Sequence, residues 1–190
     1  MVLPNKSFYF IRHGETDWNK RHVAMGQSDI ALNATGISQA HQAAELLRNE
    51  GIASIACSPL KRAHETATII ADRYGLPLSV IEELSEASWG VMEGQDKGDG
   101  SWIHAWRHGE ALQDAETFSD FANRVAKGVL KALELPEPVL IVSHGGVYWA
   151  LQRAFALPFM DLANCLPVLH SPPANLTHPW RIVPVSEDYA

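Results

Sequence analysis

Cysteine is scarce: Cys57 and Cys165 are the only two in a chain of 190 residues. One pair makes no disulfide framework at this length, and both sit in apolar company, so free buried thiols are expected. Long apolar runs are missing as well. The run that ends at Arg12 is too short to cross a bilayer and lacks a secretory cleavage pattern. No membrane partner is therefore expected, and a cytoplasmic location is the default. Positive charge is the minority sign, with 15 Lys plus Arg against 22 Asp plus Glu and a formal net charge of −7. That balance argues against a nucleic-acid partner, and any anion handled here needs a local basic pocket. No HExxH or CxxC pattern, internal repeat or low-complexity segment occurs.

What remains is an ordinary globular composition, 46% hydrophobic and 19% charged. The length fits a single domain over residues 1–190 that buries a sizeable core. Short apolar runs at 7–11, 52–57 and 139–142 read as buried strands, with a further extended piece at 77–81. Helical spacing recurs at 37–49, 60–74, 116–133 and 147–156. Gly51 and Gly75 fall where C-terminal cap glycines belong, while Ser58 and Pro59 suit a helix start. Residues 20–36 read as a loop. The tail holds two more strands, at 165–170 and 181–185, split by a proline-rich turn.

Residues 85–115 break the pattern. Five glycines and Trp89, Trp102 and Trp106 read as a small inserted cap with a short helix near 101–108. The alternation of strands and helices predicts an α/β three-layer sandwich, a largely parallel sheet with helices on both faces. Ligands gather beyond the C-terminal strand ends of such sheets. Arg12-His13, Ser58 to Arg62 and Ser143-His144 each follow a strand, so these groups are expected to converge.

The chemistry that fits them is phosphoryl transfer. A phosphomonoester is an anion whose attack needs charge on the equatorial oxygens and a nucleophile in line with the leaving oxygen. Arginine's fork matches two phosphate oxygens, neutral imidazole forms a phosphoramidate, and a carboxylic acid protonates the leaving alkoxide. Gly14 and the Gly145-Gly146 pair are expected to let backbone crowd a ligand. The competing reading, His13 and His144 as metal ligands with Glu15 or Glu86, finds no compact ligand spacing in its support.

The run Arg12-His13-Gly14-Glu15-Thr16-Asp17-Trp18-Asn19 resembles the signature of the histidine phosphatase superfamily, in its phosphoglycerate mutase-like branch. Ser58-Pro59-Leu60-Lys61-Arg62-Ala63-His64-Glu65-Thr66-Ala67 resembles the family's second motif. Leu84-Ser85-Glu86 with Gly90 and Glu93-Gly94 resembles its acid-bearing motif, and Ser143-His144-Gly145-Gly146 its last. The four stand in family order and span most of the chain.

The resemblance implies His13 as the nucleophile that becomes phosphohistidine. It implies Arg12, Asn19 and Arg62 as phosphate-binding residues, and His144 as a further phosphoryl contact that stabilises the transition state. Glu86 becomes the proton donor and then the base that activates water, with a raised pKa. Glu15 is expected to orient the loops by hydrogen bonding. The resemblance also implies a mixed, mostly parallel sheet under the cap, and neither metal nor nucleotide cofactor. Candidates to line the substrate pocket are His22, Gln27, Trp89, Trp102 and Arg107.

A mutase must retain and rebind a bisphosphorylated intermediate, which demands cations around the distal group. Residues 85–115 carry only Lys97 and Arg107 as full cations and no paired arginines. The expectation is thus a phosphomonoesterase for a small phosphorylated metabolite. Mutase-type transfer and a weakly catalytic phosphoester-binding domain are the alternatives, and a homodimer is the base-rate assembly.

Overall fold

The computed structural model describes residues 2–173 and 179–185. Strands β1 (Phe8–Arg12), β2 (Ser54–Cys57), β3 (Leu78–Val80), β4 (Val139–Ser143), β5 (Val168–Ser171) and β6 (Arg181–Pro184) form one sheet, ordered β3-β2-β4-β1-β5-β6. The first four run parallel; β5 is antiparallel to β1, and β6 to β5. The sheet is mixed and mostly parallel, as expected, and the antiparallel part is confined to the tail.

Side chains alternate across the sheet, and the two faces bury different sets. Phe8, Phe10, Val139 and Ile141 join a core with helices α5 (Phe118–Ala132) and α6 (Gly145–Ala154). Tyr9, Ile11, Leu140 and Val142 pack with α2 (Ala34–Leu47) and α3 (Lys61–Tyr74) on the other face. Helices therefore cover both faces. The central strand β4 is buried at every position, which explains its uninterrupted apolar run up to Ser143.

Register does the positioning. Arg12 pairs with Ser143, and Cys57 with Val142, so β1, β2 and β4 end at one level. His13, Ser58 and His144 are the next residues out.

Several boundaries differ from expectation. Helix α2 starts at Ala34, inside the predicted loop, because the Asn33 side chain accepts the Gly36 N–H at 2.9 Å. It ends at Leu47, so Gly51 lies beyond its cap, whereas Gly75 does close α3 in the left-handed region. Ser58 accepts the Leu60 N–H at 3.2 Å, ahead of a helix that begins only at Lys61. A four-residue helix, α1 (Asp17–Lys20), is set by a capping box between Thr16 and Asn19. Strand β5 is shorter than predicted, since Cys165 takes a φ of 53° and breaks the extension. The connection from β5 to β6 falls largely at residues 174–178, outside the described residues.

In the 85–115 segment a 3-10 turn at Gly90–Met92 precedes helix α4 (Ser101–Arg107). Trp106 anchors it. Its ring is fully buried against Phe118 and Phe121 of α5, and its N–H donates to the Glu116 carbonyl at 2.7 Å.

Candidate active site

The ends of β1, β2 and β4 bring His13, Arg62 and His144 together, and Glu86 of the 85–115 segment joins them. His13 continues the β1–β4 ladder, its N–H donating to Ser143 O at 2.9 Å. Its Nδ1 lies 2.7 Å from the Gly14 carbonyl, which can only accept, so Nδ1 carries the proton. Nε2 therefore carries the lone pair, which accepts from Arg62 Nε at 3.2 Å. Burial, followed by the charges of Arg62 and Arg12, holds His13 well below the ordinary histidine range. The ring is neutral at physiological pH.

His144 packs edge-on against His13, with centroids 5.2 Å apart. It too is kept neutral, by burial first and then by Arg62, His13 and Arg12. Its Nε2 meets the Ser58 hydroxyl at 2.7 Å. Arg12 donates to the Leu162 carbonyl at 3.2 Å. Arg12 Nε and His144 Nδ1 are both buried and have no hydrogen-bond partner among the described residues. Buried polar groups are rarely left so, and these two fit the oxygens of a bound phosphoryl group.

Glu86 is buried, which pushes its carboxyl above the ordinary range; the Ala87 N–H, Arg62, the Gly146 N–H and Arg12 pull the other way. Its oxygens accept the Ala87 N–H at 2.9 Å and the Gly146 N–H at 3.1 Å. Burial lowers Arg62 to about 10, so it stays charged at neutral pH. A cavity of about 120 Å³ is lined by Arg12, His13, Arg62 and Glu86, and further by Met25, Gly26, Trp89, Lys97, Gly145, Gly146 and Trp149. Among the described residues no three His, Cys, Asp or Glu side chains are grouped as metal ligands.

Two of the glycines also meet the protein itself closely. A Cβ on Gly146 would lie 2.2 Å from Glu86 Oε1, and one on Gly14 would lie 2.5 Å from the Gly36 carbonyl. That crowding is against the protein's own acid and backbone, while Gly145 and Gly146 also line the cavity.

The remaining candidates divide. Trp89 lines the cavity. Asn19 caps α1, its Oδ1 accepting the Thr16 N–H at 3.1 Å, and does not line it. Glu15 accepts from the Asn33 side chain at 2.9 Å and so ties the first motif to α2. His22, Gln27, Trp102 and Arg107 stand one step back, each against a residue at the cavity. The His22 carbonyl accepts the Lys97 N–H at 2.9 Å, and the Gln27 amide donates to Glu86 O at 3.2 Å. Trp102 meets Trp89 edge-on at 5.2 Å, and Arg107 lies over the Trp149 ring at 4.9 Å.

Residues 8–172 match the family described as the histidine phosphatase superfamily (branch 1). The chain belongs to that superfamily. This histidine phosphatase is 37% identical over 147 residues to the probable phosphoglycerate mutase GpmB of Yersinia pestis (strain Pestoides F), covering 72% of this chain and 68% of that protein. It also resembles a mycobacterial glucosyl-3-phosphoglycerate phosphatase solved with VO3, at 28% identity and a TM-score of 0.81, covering 96% of this chain and 100% of that one. A putative alpha-ribazole-5'-P phosphatase from Escherichia coli is similar at 26% identity and a TM-score of 0.79, covering 96% of this chain and 97% of that one. Family and site together make this chain a histidine-phosphatase-type hydrolase.

Sequence reasoning left Lys97 and Trp149 of this histidine phosphatase unassigned as pocket residues. Lys97 had a signal, as one of only two cations in the 85–115 segment. Trp149 had one too, lying one helical turn past Gly145.

Proposed function

We propose that this chain hydrolyses a small phosphomonoester through a phosphohistidine on His13. The observation that carries this is the His13 tautomer. A neutral ring whose Nδ1–H is fixed by Gly14 O keeps its lone pair on Nε2 beside two arginines, and Nε2 becomes the nucleophile as Arg62 Nε–H turns from it to a phosphoryl oxygen. In the first step Nε2 attacks phosphorus and the ester P–O bond breaks. Glu86, whose carboxyl burial pushes above the ordinary range, gives its proton to the leaving alkoxide. In the second step the Glu86 carboxylate takes a proton from water, whose oxygen bonds phosphorus as the N–P bond breaks, releasing inorganic phosphate. Arg12, Arg62 and His144 Nδ1–H act as donors to the phosphoryl oxygens in both steps.

The leaving group meets Trp89, Trp149 and Lys97. That set favours a small polar metabolite with one flat or apolar face and one anionic or hydroxyl group. Of the two cations in the 85–115 segment, Lys97 faces the cavity while Arg107 lies over the Trp149 and Phe159 rings. A single such cation supports hydrolysis over mutase-type transfer, in which a second phosphate must be held. No helix among the described residues is long and apolar enough to cross a membrane.

Turnover of p-nitrophenyl phosphate tests the reaction. The wild-type chain should release phosphate and His13→Ala should not; full turnover by H13A would sink the mechanism. No wild-type turnover across a panel of phosphomonoesters would favour a binding domain. Interconversion of phosphoglycerates that depends on added bisphosphoglycerate would favour a mutase.

A further inference from the structure

Arg62 is fully buried, and every nitrogen of its guanidinium is engaged. Nε reaches His13 Nε2, one terminal nitrogen donates to Ser28 O at 2.9 Å, and the other to Gly26 O at 2.7 Å. The fork that faces the phosphoryl site is thus aimed by two carbonyls of residues 26–28, which lie in neither a helix nor a strand. Carbonyl anchors have an electrostatic advantage. A carboxylate in their place would cancel the charge that Arg62 offers a phosphate, whereas neutral dipoles fix its direction and leave its charge intact.

An irregular loop aims a side chain only as well as it is itself held, and beside the Gln27 amide on Glu86 O and the Ser28 N–H on Met25 O one carboxylate supplies most of the hold. Glu93 Oε1 accepts the Gln27 N–H at 3.0 Å and the Trp89 N–H at 3.1 Å. Its Oε2 accepts the Ser28 N–H at 3.0 Å and the Ser28 hydroxyl at 2.9 Å. Four donors converge on one carboxylate, and three of them belong to residues 27 and 28. Gly26 is shaped to the same group: its φ is +51°, and a Cβ there would lie 2.2 Å from Glu93 Oε1. Glu93 forms no direct ion pair with Arg62 among the described residues.

We propose that Glu93 is a positioning residue for phosphate capture, clamping residues 26–28 so that the Gly26 and Ser28 carbonyls set the Arg62 fork beside His13. The Trp89 N–H on the same carboxylate ties that clamp to the segment carrying Glu86, so one side chain holds the phosphate arginine and the acid-bearing segment in register. Glu93 itself does not line the cavity. The inference rests on the phosphatase reading, and a double-mutant cycle keeps the two separable: H13A tests the reaction, while the cycle tests only the link from Glu93 to Arg62.

The cycle comprises the wild type, Glu93→Ala, Arg62→Ala and the double variant, assayed on p-nitrophenyl phosphate and for inhibition by orthovanadate. Supporting residues of this kind typically contribute about 10–100-fold, so E93A should lower kcat/KM and weaken vanadate inhibition by about that factor. In the R62A background the same change should alter kcat/KM by less than about threefold, because residues acting as one unit are not additive. A loss of equal size in both backgrounds overturns the proposal, as does wild-type behaviour of E93A. If E93A does not fold, as judged by circular dichroism, E93Q replaces it in the cycle. Glutamine keeps an acceptor for Gln27 and Trp89 but turns a donor toward the Ser28 N–H, so its losses should be intermediate. Full activity and unchanged vanadate inhibition in E93Q would equally overturn the clamp.

Discussion

The Ser58 hydroxyl lies 2.7 Å from His144 Nε2 and also accepts the Leu60 N–H at 3.2 Å. Leu60 supplies a donor, so among the described residues the acceptor for the hydroxyl hydrogen is His144 Nε2. The His144 proton is therefore on Nδ1, the atom buried without a partner. A serine at the end of β2 thus sets the tautomer of a histidine at the end of β4, and the register of the two strands brings them together.

Ser58→Ala should free that tautomer. Losing one hydrogen bond to a buried group costs about 1–3 kcal/mol, so kcat/KM should fall by about 5- to 150-fold. The structural signature is separate from the kinetics: the ¹⁵N shifts of His144 should report an Nδ1–H tautomer in the wild type and a mixture in S58A. Unchanged shifts would show that Ser58 does not set the proton.

Glu86 gives a pH signature. Its carboxyl is raised chiefly by burial, so the protonated acid persists above the ordinary carboxyl range. Turnover of an alkyl phosphate should fall as pH rises through this raised value. The His13 pKa is lowered, so protonation of the nucleophile should bring no loss until well below 6.5. Glu86→Gln should remove about 10²–10⁴-fold of activity on alkyl esters, the usual contribution of a general acid. With p-nitrophenyl phosphate the leaving group needs no proton. E86Q should then still phosphorylate His13 and accumulate phosphohistidine, detectable by intact-protein mass after a rapid quench.

The parts of the site that sit at strand ends are legible in the sequence because a short apolar run predicts where a strand stops, and the next residue is then placed by topology alone. His13, Ser58 and His144 are of that kind. Lys97, Gly26 and Glu93 are not, because their places depend on how two irregular segments fold onto each other. Trp149 falls between these cases. Reading α6 from 147 rather than from Gly145 loses the one-turn spacing that puts Trp149 on the side of Gly145. Asn33 shows the same limit locally, since one side chain capping Gly36 starts α2 earlier than the apolar pattern does.

His170 bears on stability rather than on chemistry. It stacks on Phe8 with centroids 4.5 Å apart, meets the Tyr148 hydroxyl at 3.1 Å, and is lowered by burial to about 4. The unfolded chain binds this proton near pH 6.5 and the folded chain only near 4. Stability tied to neutral His170 is therefore complete above about 6.5 and is lost as pH falls toward 4. His13 and His144, also lowered, add in the same direction; Glu86, raised, opposes them at the acid end. Proton uptake on unfolding at pH 5, from the pH dependence of stability, should drop by about one in His170→Phe. An unchanged uptake would mean that His170 is already charged in the folded protein.

Gly145 and Gly146 make a paired test of why the last motif carries two glycines. Both begin α6, where alanine in place of glycine ordinarily favours the helix by about 1 kcal/mol. A Cβ on Gly145 would lie 3.7 Å from Arg12 Nε, an ordinary contact. Gly145→Ala should therefore leave Tm unchanged or raised and kcat/KM within a few-fold. A Cβ on Gly146 would lie 2.2 Å from Glu86 Oε1, and the same glycine gives its N–H to Glu86 Oε2 at 3.1 Å. Gly146→Ala must push the carboxyl out of its seat, so activity on alkyl phosphates should approach that of E86Q while p-nitrophenyl phosphate is hit less hard in the phosphorylation step. Burst kinetics on the two ester classes check this. Equal behaviour of G145A and G146A would mean that the second glycine serves the helix and not the acid.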